Sequence, residues 1–247
     1  KVSQIVVPFM AILYVLCVLV IIITNITKLP GALLEIVESA FGMRAATGGA
    51  LGAMMIALQK GVARGIFSNE AGLGSAPIAA AAAQTKEPVR QGLVTMTGTF
   101  IDTVIICTMT GLSIVMAGSW ADPNLEGVEI TTAAFQSGLP IGGKFPAFIL
   151  MICLIFFAFT TILGWSYYSE RCLSYLIGSR KSTTALFRWL YIVAVFIGPY
   201  LTVEAVWNIA DIFNGLMALP NIIALIVLSG VIAKDTRAYF KKNALQR

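Results

Sequence analysis

One stretch of the sequence could bind a small charged ligand through its backbone. Residues 68–77 read SNEAGLGSAP, in which Gly72 and Gly74 allow backbone angles that other residues avoid. Pro77 interrupts the hydrogen-bond ladder of a helix or starts a new one. An interrupted helix leaves N–H groups available to a carboxylate and carbonyl groups available to a cation. The residue types therefore predict ligand binding rather than covalent chemistry.

The sequence lacks the side chains on which most enzyme mechanisms depend. It contains no histidine, the commonest general base and metal ligand. No candidate nucleophile lies beside a base. We therefore expect neither an enzyme nor a covalent cofactor.

The composition predicts an all-α integral membrane protein. Hydrophobic residues make up 58% of the chain, charged residues 12%, and the mean hydropathy is +0.87. A chain of 247 residues with this composition cannot cover its apolar surface in water. A membrane-spanning helix needs about 20 mostly apolar residues. The stretches that meet this requirement are 5–24, 92–117, 145–168, 187–205 and 209–233.

Three other stretches do not read as ordinary spans. Residues 32–42 are amphipathic and predict an interfacial helix, whereas 118–144 read as a polar loop that is either an outer lid or a plain connector. Residues 48–83 predict a broken helix that resumes at 79–83. In lipid, such a break persists only where it is buried in protein or lines a cavity. The alternative is a complete span followed by a glycine-rich loop at the cytoplasmic surface.

The basic residues predict the orientation of the chain, because Lys and Arg gather on the cytoplasmic side of membranes. With the basic C-terminal tail inside, only Lys28, Arg44 and Lys144 fall outside, and Lys1 falls inside. This indicates a multi-pass protein of the plasma (inner) membrane with a cytoplasmic C-terminus. The net charge of +5 then reflects topology and contacts with the lipid bilayer, so we expect no nucleic-acid partner.

The run GVARGIFSNEAGLGSAPIAAAAA resembles the signature of the alanine/glycine:cation (sodium:alanine) symporter family. The resemblance continues in PVRQGLV (88–94), FIDTVIICTMTGL (100–112), GWSYYSERCLSYLIG (164–178) and PNIIALIVLSG (220–230). Members of this family resemble the inverted-repeat fold of the leucine transporter LeuT. On that map, residues 1–247 form a single, partial transmembrane domain. It contains the fifth core helix and the second repeat, and the first repeat of the same chain is missing.

The resemblance implies that the unwound stretch faces a small neutral amino acid such as alanine or glycine. Its substrate-binding residues would be Phe67, Ser68, Asn69, Ala71 and Gly72. Trp165 could cap this pocket, and its alternative role is that of an aromatic residue near a membrane interface.

The resemblance also implies a site for a co-transported sodium ion. The carbonyl of Phe157 and the hydroxyls of Thr160 and Thr161 match the spacing with which the eighth core helix of LeuT-like transporters binds sodium. Oxygen ligands suit a hard cation. Taken by themselves, hydroxyls in a helix more commonly bond back to their own helix.

Charged residues inside apolar stretches are candidates for function by default. Lys60 and Arg64 share one helix face and could pair with Glu70 and Asp102, either as part of the site or as a structural charge network. Asp211 lies near the predicted outer end of its helix, where water is expected.

These observations predict a secondary active transporter for sodium-coupled symport of small neutral amino acids by alternating access. The alternatives are a proton-coupled amino-acid transporter and a non-transporting channel or scaffold subunit. A channel would require repeated pore-lining polar residues or charged rings, whereas the sequence shows one broken segment.

Overall fold

A computed structural model of the chain describes residues 2–41 and 50–244. Within these ranges all regular secondary structure is helical. Five stretches of it are long and apolar enough to cross a membrane: Val2–Thr24, Pro88–Ala117, Phe145–Ile177, Lys181–Tyr200 and Val203–Lys242. The all-helical prediction is confirmed, and the five candidate spans are consistent with a multi-pass membrane protein. Lys1, residue 42, Arg44, residues 48–49 and Arg247, on which some predictions rest, lie outside the described ranges.

Ten α-helices account for most of the described chain. They are α1 (Val2–Thr24), α2 (Leu29–Phe41), α3 (Ala50–Asn69), α4 (Ala76–Ala80), α5 (Pro88–Phe100), α6 (Thr108–Ala117), α7 (Val128–Gly138), α8 (Phe145–Ile177), α9 (Lys181–Ile197) and α10 (Val203–Ala244). A π-helical turn, Ile101–Cys107, joins α5 to α6, and short 3-10 turns occupy Ile26–Lys28, Ser119–Ala121 and Gly198–Tyr200.

Several helices extend beyond their predicted apolar stretches. α8 continues nine residues past 168, α9 begins six residues before 187, and α10 begins six residues before 209. Hydropathy marks the apolar part of a helix, whereas helical hydrogen bonding continues through polar residues that form helices well. The correction places Asp211 eight residues inside α10 instead of near its start.

The predicted polar loop 118–144 is not a simple connector, because it contains α7. Ala134 and Phe135 of this helix are fully buried. Gly138 lies against α1 so closely that a Cβ there would be 2.7 Å from the Ile21 side chain. The Gly138 carbonyl also accepts a hydrogen bond of 3.1 Å from the Asn25 amide. The turn-forming residues around α7 suggested a loop, but the helix is anchored to α1.

The chain divides into two compact units. The first unit comprises the described parts of Lys1–Gly61 and Val104–Tyr167. Its buried core contains Cys17, Val18, Ile21, Phe135, Leu139 and Leu150. Beside this core, the Tyr14 ring stacks on Phe135 at 5.7 Å between centroids, and the Tyr14 hydroxyl shares a 2.7 Å hydrogen bond with Thr110.

The second unit comprises Val62–Thr103 and the described part of Tyr168–Arg247. The ion pairs found in the described ranges all belong to it. Arg64 of α3 pairs with Asp211 of α10, Glu170 at the end of α8 pairs with Arg188 of α9, and Glu87 before α5 pairs with Lys242 of α10. The first and third pairs link segments about 150 residues apart, and the second links the consecutive helices α8 and α9.

Candidate functional site

The predicted break in the helix is present between α3 and α4. α3 ends at Asn69, α4 begins at Ala76, and three residues between them have positive φ: Glu70 (55°), Gly72 (81°) and Gly74 (81°). Glycine adopts this conformation freely, whereas Glu70 does so at a cost of about 1 kcal/mol. Such strain persists only where surrounding contacts hold it. The break is therefore held in place by the surrounding fold.

The end of α3 is held by the π-helical turn 101–107. The Ser68 hydroxyl donates a 2.7 Å hydrogen bond to the Asp102 carboxylate. The Asn69 side-chain amide donates to the Thr103 hydroxyl at 3.1 Å, and its oxygen accepts from the Ala71 N–H at 2.9 Å. Ser68, Asn69 and Asp102 of the predicted site are thus brought together. π-helical turns occur frequently at functional sites.

The middle of the break is held by α10. The Asn221 side-chain amide donates a 2.9 Å hydrogen bond to the Gly72 carbonyl. A Cβ at Gly74 would lie 3.2 Å from the Asn221 amide oxygen. Sequence reasoning did not single out Asn221, although an amide in an otherwise apolar helix was an available signal.

Arg64 links the last turns of α3 to α10. Its guanidinium donates two hydrogen bonds to the Asp211 carboxylate, at 2.8 and 3.1 Å. It also lies over the Trp207 ring, 3.7 Å from the ring centroid. The Phe67 ring packs edge-on against the same tryptophan at 5.2 Å. The pairing of Arg64 with Asp211 and the role of Trp207 were missed, because the sequence placed the start of this helix at 209 instead of Val203.

The predicted charge network differs from the contacts observed. Arg64 pairs with Asp211 rather than with Glu70 or Asp102. Asp102 instead accepts the hydrogen bond from Ser68. Lys60 and Glu70 form no ion pair within the described part of the chain. The Asp211 carboxylate engages Arg64 while its side chain remains 37% exposed.

Ser75 carries a polar group with no partner in the described ranges. Its side chain is 1% exposed, and its hydroxyl makes no hydrogen bond there. An unsatisfied buried hydroxyl costs about 1–3 kcal/mol. Its position in the break makes it available to a polar ligand. The neighbouring α4 has only five residues, which is too short for the N-terminal carboxylate site expected of a half-helix.

The predicted sodium ligands lie on α8 in the first unit. The Thr160 hydroxyl hydrogen-bonds the Phe156 and Phe157 carbonyls at 2.9 and 3.0 Å. Thr161 makes no side-chain hydrogen bond with a described residue. Trp165 lies on the same helix, four residues further on, and is partly buried. The Thr160 hydroxyl and the Phe157 carbonyl are thus adjacent, as the sodium site requires. The same bond is also the one expected when a threonine hydroxyl bonds back to its own helix.

Comparison with known proteins identifies the family of this chain. The family model described as "Sodium:alanine symporter family" matches residues 1–247. The chain belongs to this sodium:alanine symporter family. The family consists of transporters and not enzymes, so the expectation of a non-enzyme is confirmed.

Individual relatives of the symporter family resemble the chain along its whole length. It is 58% identical over 241 residues to an uncharacterized transporter of Haemophilus influenzae, covering 97% of this chain and 52% of that protein. It is 48% identical over 248 residues to the sodium/alanine symporter AgcS of Methanococcus maripaludis, covering 98% and 53%. It is 40% identical over 243 residues to the probable sodium/glutamine symporter GlnT of Bacillus subtilis, covering 98% and 49%. The chain thus spans about half the length of the curated relatives it matches.

Proposed function

We propose that this chain provides the substrate-binding broken helix and part of a sodium site in a symporter for small neutral amino acids, such as alanine and glycine. The observation that carries the proposal is the break between Asn69 and Ala76, with its three positive-φ residues and the hydrogen bonds that hold it. An interrupted helix in a membrane protein is typical of secondary transporters.

The broken segment has the chemistry that a zwitterionic amino acid requires. The carbonyls at the end of α3 are acceptors for an amino group, and the Ser75 hydroxyl can act as donor or acceptor. Phe67, Ser68, Asn69, Ala71 and Gly72 line this region in the proposal.

The sodium site is proposed on α8. The Thr160 hydroxyl lies 3.0 Å from the Phe157 carbonyl, so these two oxygens are already adjacent. A cation would turn both oxygens toward itself and recruit the Thr161 hydroxyl. Further oxygen ligands come from a part of the polypeptide outside this chain. The names of two relatives, sodium/alanine and sodium/glutamine symporters, support sodium as the coupling ion.

The proposal includes the architecture of the complete protein and its place in the cell. We assign a LeuT-like inverted-repeat core that moves by alternating access in the plasma (inner) membrane, with the C-terminus in the cytoplasm. The basic residues of the tail after Val231 support this orientation. One sodium ion entering down a potential of about 100 mV provides about 2.3 kcal/mol for uptake.

The test is uptake of labelled alanine by the complete polypeptide in proteoliposomes, with and without an inward sodium gradient. The wild-type protein should accumulate alanine only with the gradient. The Thr160→Ala, Thr161→Ala double variant should lose at least about 90% of this accumulation, because two of the sodium ligands are removed.

A matched control is Thr184→Ala on α9, whose hydroxyl also bonds back to its own helix, at 3.2 Å. This variant should retain sodium-driven uptake. Accumulation that follows a proton gradient and ignores sodium would refute the ion assignment and favour proton coupling. The absence of uptake under either gradient would refute the transport proposal.

A further inference from the structure

Arg64 makes two kinds of contact at once, and both are directed at α10. The edge of its guanidinium binds the Asp211 carboxylate through two hydrogen bonds of 2.8 and 3.1 Å. The face of the same group lies 3.7 Å from the centroid of the Trp207 ring. The planar guanidinium suits this combination, whereas a lysine ammonium neither forms the two parallel bonds nor stacks.

The two partners on α10 are arranged to act together. Trp207 and Asp211 are four residues apart and therefore lie on one face of the helix. The Arg64 and Asp211 side chains are 31% and 37% exposed, so the pair is partly shielded from water. The Arg64 clamp is defined here as Arg64, Trp207 and Asp211.

The clamp reaches a residue of the proposed substrate pocket. The Phe67 ring packs edge-on against Trp207, with 5.2 Å between the ring centroids and an angle of 71° between the planes. Arg64 and Phe67 are three residues apart on α3, so both contact Trp207 from one face of the helix. Ser68 and Asn69 follow directly, and α3 ends there.

We propose that Arg64, Trp207 and Asp211 are positioning residues that fix Phe67 and the end of α3, and thereby set the size of substrate that the pocket accepts. This inference rests on the proposed function, because it assigns Phe67 to the wall of the substrate pocket. The clamp acts through Phe67 and does not contact the substrate.

Size selection is the property that this arrangement controls. A pocket distinguishes two substrates that differ by one methylene about 10-fold or more when its walls are rigid. Without the Arg64 clamp, the Phe67 ring can move aside when a substrate with an extra methylene binds. Loss of the clamp therefore weakens discrimination more than it weakens uptake of the smaller substrate.

The first test compares alanine with 2-aminobutyrate, which is larger by one methylene. Uptake is measured on the complete polypeptide, as the maximal rate divided by KM for each substrate. Arg64→Lys, Asp211→Asn and Trp207→Leu should each lower the preference for alanine about fivefold. Arg188→Lys is the control, because Arg188 forms a similar two-bond pair with Glu170, at 2.5 and 3.0 Å, that joins α8 to α9 and involves no residue of α3. It should keep the wild-type preference.

The second test measures the position of α3 without any substrate. Asn69→Cys and Thr103→Cys are introduced together after the native cysteines are replaced by alanine, because the side chains of residues 69 and 103 lie 3.1 Å apart at their polar atoms. A short bifunctional thiol reagent should join the two introduced thiols at least about threefold more slowly when Arg64→Lys is added. Arg188→Lys should leave the cross-linking rate unchanged.

The two tests separate the possible failures. If wild-type protein takes up alanine but the clamp variants keep both its substrate preference and its cross-linking rate, the clamp has no positioning role. If wild-type protein takes up neither amino acid, the proposed function fails and the cross-linking rate alone decides whether the clamp holds α3. Only the folded, monodisperse fraction is used, so a loss of yield does not count as support.

Discussion

α8 and the break between α3 and α4 differ in how far away in sequence their polar groups find hydrogen-bond partners. α8 is an unbroken helix of 33 residues, and its Thr160 hydroxyl bonds to carbonyls three and four residues earlier. At the break, Ser68 in the last turn of α3 bonds to a residue 34 positions away, and the Gly72 carbonyl bonds to one 149 positions away. The helix is satisfied locally, whereas the break combines local bonds, such as that from the Ala71 N–H to the Asn69 side chain, with tertiary contacts. In the proposed transporter, a rigid element thus provides the ion ligands, and a segment held by its neighbours provides the substrate ligands.

The largest expected effect comes from the same substitution made in both regions. Gly74→Ala places a side chain at a φ of 81° and 3.2 Å from the Asn221 amide oxygen, so the free energy of unfolding should fall by about 2 kcal/mol. Gly164→Ala in α8 has open space around its Cβ and should raise it by about 0.5–1 kcal/mol. Thermal unfolding of the complete protein in detergent measures both. Equal effects at the two sites would contradict the comparison.

A smaller effect on stability is expected when the side chain that binds the break is removed and the backbone of the break is unchanged. Asn221→Ala deletes the 2.9 Å hydrogen bond to the Gly72 carbonyl and should lower the free energy of unfolding by about 1 kcal/mol. Asn214→Ala is the control on the same helix, because its amide makes no hydrogen bond with a described residue. If both variants unfold at the same temperature, the Asn221 contact does not hold the break.

The smallest effect on stability is expected in α8. Thr160→Val keeps the shape of the side chain and removes only a hydroxyl that bonds to its own helix, so the free energy of unfolding should change by less than about 0.5 kcal/mol. The sodium concentration for half-maximal uptake should nevertheless rise about 10-fold, because an ion ligand is lost. A large loss of stability with normal sodium dependence would reverse the roles assigned to the two regions.

The break was predictable because its cause is local. Gly72, Gly74 and Pro77 disrupt a helix through their own backbone properties, and a single sequence displays them directly. The positive φ of Glu70 was not predictable, since nothing local favours it in a non-glycine residue.

The partners of the break were not predictable for a different reason. Asp211 and Asn221 contact residues about 150 positions away, and the period of a helix carries no information about such pairs. The late start predicted for α10 added to the error, because it placed Asp211 at the beginning of the helix. α7 was missed for a related reason, since glycines at both of its ends gave a stronger local signal than its narrow buried face.

α10 contacts the broken segment at two places that lie on opposite sides of a proline. Asp211 holds Arg64 and Asn221 holds Gly72, and Pro220 is a proline within the helix between them. Asp211 and Asn221 are ten positions apart, which is about 15 Å along the helix axis. Proline removes one backbone hydrogen bond and allows a helix to bend. The two contacts therefore lie on the two helix segments that a bend at Pro220 would separate.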